Sequence, residues 1–182
     1  MIKKFLLVSF FTASIALSNA QSIILSKNEA NSFAIVTNKQ ATTLVTDEND
    51  HWLVQKAASL FQDDIEKVSG KKPEITHAIP ASAKNLVIIG SLEQSAIIKQ
   101  LVQQNKLKVD SVMGKWDGYS LQVVNNPFPN ISSALVVVGN DRRGTAYGVF
   151  ELSEQMGVSP WYWWADVPVK KKSEVFVKQG PL

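Results

Sequence analysis

Two short runs of almost uninterrupted apolar residues, NLVIIG at 85–90 and ALVVVG at 134–139, constrain this chain more than anything else in it. Each is too short for a helix, rich in β-branched side chains and closed by glycine, as suits a strand buried in a core. Each is followed at once by a helical pattern. After the first, Ser91 to Gln94 reads as a capping box that opens a helix with Ile97, Ile98, Leu101 and Val102 along its core stripe. After the second, Asn140 or Asp141 is placed as N-cap, Val149, Leu152 and Met156 recur at helical spacing, and Gly157 then Pro160 give the stop. Repeated strand–turn–helix units with short turns predict a layered α+β (α/β) domain with a mixed sheet and about three helices.

The remaining segments fit around these units. FAIV (33–36) and TTLV (42–45) are β-like and are expected to pair as a hairpin across Asn38. Asp50 is placed to cap the clearest helix of the sequence, which carries Leu53, Ala57, Leu60, Phe61, Ile65 and Val68 on one face and stops at Gly70 and Pro73. Its Asp63, Asp64 and Glu66 read as a solvated face rather than a catalytic cluster. In DGYSLQVV (117–124), Tyr119, Leu121 and Val123 alternate with Ser120 and Gln122 as in a half-exposed strand, NPFPN makes a turn, and EVFV (174–177) is a last strand. The intervening lysines 170–172 read as a solvated edge or linker rather than a polysaccharide patch.

Lys3 and Lys4, an apolar run from Phe5 to Leu17 and the small residues Ser18 and Ala20 form a secretory signal peptide with cleavage after Ala20. The run is shorter than the ~20 residues needed to span a bilayer, and no cysteine follows for lipid attachment. The chain is therefore expected in the periplasm or outside the cell, without a membrane anchor. Cleavage leaves 162 of the 182 residues, enough for one domain and too few for a domain plus a barrel of ~250. It also removes two lysines and no acid, so the formal charge of +3 becomes +1 and gives no case for nucleic-acid binding. With no cysteine at all, disulfides, thiol nucleophiles and zinc–thiolate sites are excluded.

Sites of chemistry are scarce. GNDRRGT (139–145) has the glycine spacing of a phosphate loop, but Thr145 stands where the lysine belongs, and the glycines read as a tight strand-to-helix turn. Arg142 and Arg143, the only arginines, fit either a bidentate grip on a carboxylate or a pairing with Asp141 and a neighbouring domain. His51 reads as a helix-start residue, and neither it nor His77 has metal-ligand spacing. No nucleophile turn is present. The acids Asp141, Glu151, Glu154 and Asp166 lie on or beside one helix, not across a cleft as paired glycosidase carboxylates do. Trp161, Tyr162, Trp163 and Trp164 are too many aromatics for so short a segment to bury, so one face needs a partner: a sugar ring or another domain.

The block RRGTAYGVFELSEQMGVSPWYWWADVPVKKK resembles the motif closing the N-terminal domain of glycoside hydrolase family 115, the xylan α-1,2-glucuronidases. DHWLVQKAASLFQDDIEKVSGKKPEI and NLVIIG are similar too, and resemble the small domain before the barrel in hexosaminidases and other glucuronidases. The resemblance implies residues 1–20 as signal peptide, 21–165 as the accessory domain, and 166–182 as a final strand and linker towards a catalytic (β/α)₈ barrel that would follow. The parent enzyme would remove glucuronic acid or its 4-O-methyl form from glucuronoxylan with inversion, with no cofactor or metal and with both catalytic carboxylates on the barrel. Arg142, Arg143, Trp161, Trp163, Trp164 and Asp166 are then candidates for docking that barrel or for touching substrate. The alternative is a free-standing exported carbohydrate-binding module built on the tryptophans.

Overall fold

The computed structural model describes residues 22–179. The elements run β1 (Ile24–Leu25), β2 (Ser32–Val36), β3 (Leu44–Thr46), α1 (Trp52–Ser69), β4 (Ile75–Thr76), β5 (Asn85–Ser91) and α2 (Ala96–Gln103). They continue with β6 (Tyr119–Asn125), β7 (Ser133–Gly139), α3 (Arg142–Met156), the single turn α4 (Tyr162–Ala165) and β8 (Val175–Lys178). The two apolar runs are β5 and β7, paired in parallel from Asn85 opposite Ser133 to Ser91 opposite Gly139. They form the centre of a five-stranded sheet of order β4-β3-β5-β7-β6, in which only β6 runs antiparallel.

Central position explains why these strands lack alternation, because side chains on both of their faces meet a core. Val87, Ile89, Leu135 and Val137 pack with α1 and α3. Leu86, Ile88, Val136 and Val138 pack on the opposite face with Ile98 and Leu101 of α2 and the loop residues Leu107, Phe128 and Ile131. The fold is thus α+β with a mixed sheet and three principal helices, as the strand–helix repeats predict.

Several local expectations are corrected. β2 and β3 do not form a hairpin: β2 pairs with β8 in a separate sheet of order β1-β8-β2, while β3 joins the large sheet. A short antiparallel turn links the two runs through a bridge between Val36 and Ala41 and hydrogen bonds from the Thr42 amide to the Ile35 carbonyl at 2.8 Å and from the Thr42 hydroxyl to the Ala34 carbonyl at 2.7 Å. Beyond it the strands part, because Phe33, Val36 and Val177 close one end of the α1–α3 core while Leu44 and Val45 are needed beside β5. The N-cap of α1 is His51, with no side-chain cap, and Asp50 turns away to a buried role described below. The second helix begins later than the capping box suggests, because Ser91 is still β5; Ser95 is its N-cap, accepting from the Ile98 amide at 3.2 Å. On the α1 face, the exposed Glu66 and the half-buried Asp63 share Lys72, but Asp64 is buried and pairs with Lys67 at 3.0 Å.

In β6 the alternation places Tyr119, Leu121 and Val123 together, yet their polar neighbours are not simply solvated. Ser120 is buried, and the Gln122 side-chain amide hydrogen-bonds the Lys108 backbone at both its carbonyl and its N–H. The Lys108 segment partly covers this face of the edge strand and removes much of the solvent side that the pattern assumes.

Candidate interaction surface

In open parallel sheets, ligands usually sit beyond the carboxyl ends of the strands, where successive connections leave to opposite faces. Here that place lies between β3, which feeds α1 on one face, and β5, which feeds α2 on the other. It is filled by the protein's own carboxylates. Asp50 accepts from the Ser91 amide and the Ser91 hydroxyl, both at 2.7 Å, and from the His51 amide at 2.8 Å. Asp47 accepts from the Ala96 amide at the start of α2 at 2.6 Å and from the Asn49 amide at 3.0 Å, while the Gln55 side chain donates to its backbone carbonyl. An acid at a helix N-terminus satisfies the amides that an external anion would seek. His51, at the helix start as expected, closes the rim by meeting Glu93 at 2.9 Å, and His77 meets the Thr46 hydroxyl at 3.0 Å. Among the described residues no three His, Cys, Asp or Glu side chains converge as a metal site would need.

The turn before α3 is closed in the same way. Asp141 caps the helix, accepting from the Arg143 and Gly144 amides at 2.9 and 2.8 Å and from the Asp117 amide at 3.1 Å. Burial raises its pKa, but these amides and Asn140 outweigh that and hold it below the ordinary aspartate value. The positions where a phosphate would bind are occupied. Gly144 serves close approach: a Cβ there would lie 2.3 Å from the Gly118 carbonyl oxygen. Arg143 pairs with Asp117 at 3.1 Å and donates to the Tyr147 hydroxyl at 3.2 Å, so its ion-pair partner is Asp117 rather than Asp141. Arg142 is exposed beside it.

The aromatic segment divides. Tyr162 turns inward against the core, with the Lys67 ammonium 4.9 Å from its ring centre. Trp161, the N-cap of α4, is 65% exposed and Trp164 84% exposed, three positions apart across one turn. The Trp163 side chain lies outside the described residues. Asp166 is exposed and ends α4 in the left-handed conformation. The lysine run is largely exposed, but its backbone does more than link. The Lys170 amide donates to the Gly157 carbonyl at 3.1 Å and the Lys172 amide to the Val68 carbonyl at 3.0 Å, bridging the C-terminal ends of α3 and α1. Burial, and then the Lys170 charge, hold the Lys172 ammonium below the usual lysine value.

A groove of about 650 Å³ runs along the outer face of α3, walled by Leu60 and Asp64 of α1, Tyr119 of β6 and the 158–160 turn. Tyr119, Tyr147 and Phe150 are 38–45% exposed in it, although each has a large apolar ring. Gly148 lets β6 approach: a Cβ there would meet the Tyr119 ring at 3.1 Å and Val137 at 3.0 Å. Glu151 and Glu154 line the same groove. Ser153 lies at its inner side, 4% exposed, with a buried hydroxyl that has no hydrogen-bond partner. Burial and the Glu151 charge raise the Tyr119 pKa above its ordinary value. The core stripe of α3, Val149, Leu152 and Met156, gives no sign of this surface. Tyr147, Phe150, Glu151 and Glu154 recur at i, i+3, i+4 and i+7, a second stripe pointing outward.

Residues 23–152 match the family profile described as glycosyl hydrolase family 67 N-terminus. Among solved structures, the chain is similar to BtGH115A, a family 115 4-O-methyl-α-glucuronidase with specificity for decorated arabinogalactans, at 28% identity and a TM-score of 0.58. That match covers 73% of this chain and 16% of the glucuronidase, so this chain spans a small part of its length. CpGH84D is similar at 15% identity and a TM-score of 0.49, over 86% of this chain and 22% of that one. A family 20 β-N-acetylhexosaminidase from Streptomyces coelicolor A3(2) follows at 10% identity and 0.41, over 83% and 24%. No curated protein matches by sequence. With a profile covering most of its length and a glucuronidase among the structures it resembles, the chain is a glucuronidase-related N-terminal domain and belongs to the glycosyl hydrolase family 67 N-terminus family.

Proposed function

We propose that this chain is the non-catalytic accessory domain of an exported glycoside hydrolase of the family 115 kind, bracing a catalytic (β/α)₈ barrel in the same parent chain. Residues 1–20 are its signal peptide, 21–165 the domain and 166–182 the strand and linker towards the barrel; residues 1–21 and 180–182 lie outside the described part. The parent removes glucuronic acid or its 4-O-methyl form from xylan by inverting hydrolysis, with the paired carboxylates on the barrel. The family 115 relative prefers decorated arabinogalactans, which makes that polymer the second substrate to try.

The observation that carries this reading is the exposure of Trp161 and Trp164 at 65% and 84% on a turn anchored from below by Tyr162. Two large rings left this exposed on one turn are surface awaiting cover. The chain should therefore bind a hydrophobic dye or self-associate, and Trp164→Ala should lessen this without changing retardation in a glucuronoxylan affinity gel. A second reading has its own support, since rings three residues apart on one turn can share a side and form a sugar platform. Clear retardation of the wild type, abolished by Trp161→Ala or Trp164→Ala alone, would establish that binding-module reading instead. Export is tested separately, by N-terminal sequencing of secreted protein, which should begin at Gln21; material beginning at Met1 would contradict it.

A further inference from the structure

The α3 groove is chemically one-sided. Its formal charges are all negative: Glu151, Glu154 and Asp64. Asp64 has Lys67 as partner, whereas Glu151 is met by the neutral amide of Gln155, and Glu154 pairs with no cation among the described residues. The orphaned Ser153 hydroxyl is a second, independent sign of something missing, because buried polar groups in folded proteins ordinarily have a partner. Three half-covered aromatic rings beside these groups give the remaining surface an apolar character. Through Ser159 and Pro160 the groove runs directly into Trp161, so the two aromatic surfaces are consecutive in the chain.

These features decide among occupants. An acidic sugar meets like charge at Glu151 and Glu154, and the nearby cations Arg143 and Lys67 are already paired with Asp117 and Asp64. A neutral sugar would find hydroxyls and acceptors in Tyr119, Tyr147, Glu151 and Glu154, but it leaves the carboxylates without a countercharge. A folded surface carrying a lysine or arginine among apolar side chains answers each demand: the cation for the two glutamates, a hydrogen bond for Ser153, and apolar contact for the rings. An N-terminal domain of glycosidases has such a neighbour, the catalytic domain of its parent. We infer that the catalytic domain docks on the outer face of α3, covering Tyr119, Tyr147 and Phe150 and placing one basic side chain between Glu151 and Glu154. This rests on the accessory-domain reading and specifies the face by which it works.

Hydroxyl-radical footprinting, read by mass spectrometry, compares the 182-residue chain with the whole parent chain. Tyr147 and Phe150 should be oxidised several-fold less in the parent, while Met113, 59% exposed beside α2, reacts alike in both. Replacing Glu151 and Glu154 together by lysine in the parent should return Phe150 to the reactivity of the 182-residue chain. Within the 182-residue chain that pair of substitutions removes the Glu151–Gln155 contact, so its melt should stay cooperative and fall by no more than a few degrees, which separates undocking from unfolding. Protection of Trp161 and Trp164 with none at Tyr147 or Phe150 would overturn the α3 face while the accessory role stands. No protection anywhere would remove the bracing role as well. Protection retained in the double lysine variant would overturn the basic contact, and protection of Phe150 in the 182-residue chain by added xylo-oligosaccharide would make the groove a sugar site instead.

Discussion

The carboxyl ends of β3 and β5 and the outer face of α3 use the same residue types for opposite ends. At the strand ends, acids are turned inward: Asp47 and Asp50 are buried, and each hydrogen-bonds the loop that starts the other connection. On α3, the acids and aromatics of the groove face outward, and one buried hydroxyl there lacks a partner. The crevice where comparable sheets receive ligands has become part of the scaffold. Recognition has moved to a helix face that a ligand-binding fold of this kind would leave plain. Position within a fold therefore suggests a site, but whether the polar groups there are already satisfied decides it.

Substitutions should separate the two regions by magnitude. The largest effect belongs to Asp50→Ala, which strands the buried Ser91 amide and hydroxyl; urea unfolding should show a loss of about 3 kcal/mol. A loss below the effect of a surface substitution would mean that the crevice is not a structural stitch. Next is Asp141→Ala at the start of α3, expected to cost about 1 kcal/mol through the lost cap, with Asp141→Asn retaining most of it at neutral pH. Because folding lowers the Asp141 pKa, its ionic contribution is complete above the unfolded value near ~4 and fades as pH falls through the folded one. The stability difference between wild type and Asp141→Asn should therefore shrink on acidification; a difference that grew would reverse the assigned sign. The smallest effect is Trp164→Ala, within about 0.5 kcal/mol in the 182-residue chain because the ring is 84% exposed. A larger loss would show the tryptophan to be scaffold rather than surface.

Much of this architecture was legible. Continuous apolar runs reported β5 and β7 because central strands are buried on both faces, and Gly70 and Gly157 marked helix ends through their left-handed conformation. Pairing was not legible for β2: its partner β8 lies well over a hundred residues away, and nothing local in FAIV distinguishes that partner from the nearby TTLV. Asp50 looked like a cap because a cap and a long-range acceptor share one composition. The tryptophans were found by their density, but the inward turn of Tyr162 depends on α1 and Lys67, a tertiary contact. The α3 groove was hidden by a different cause. A helix with two apolar stripes displays its core stripe first, and only burial shows that Tyr147 and Phe150 belong to neither the core nor a plain solvated face.

The separation of a self-satisfied scaffold from an interaction surface, with chemistry carried elsewhere in the parent, meets its most direct test in turnover. Purified 182-residue chain should release no glucuronic acid from 4-O-methylglucuronoxylan or from decorated arabinogalactan under conditions in which the whole parent chain does. Steady release by the 182-residue chain, abolished by one substitution such as Glu151→Gln, would contradict it by placing a catalytic carboxylate within this domain.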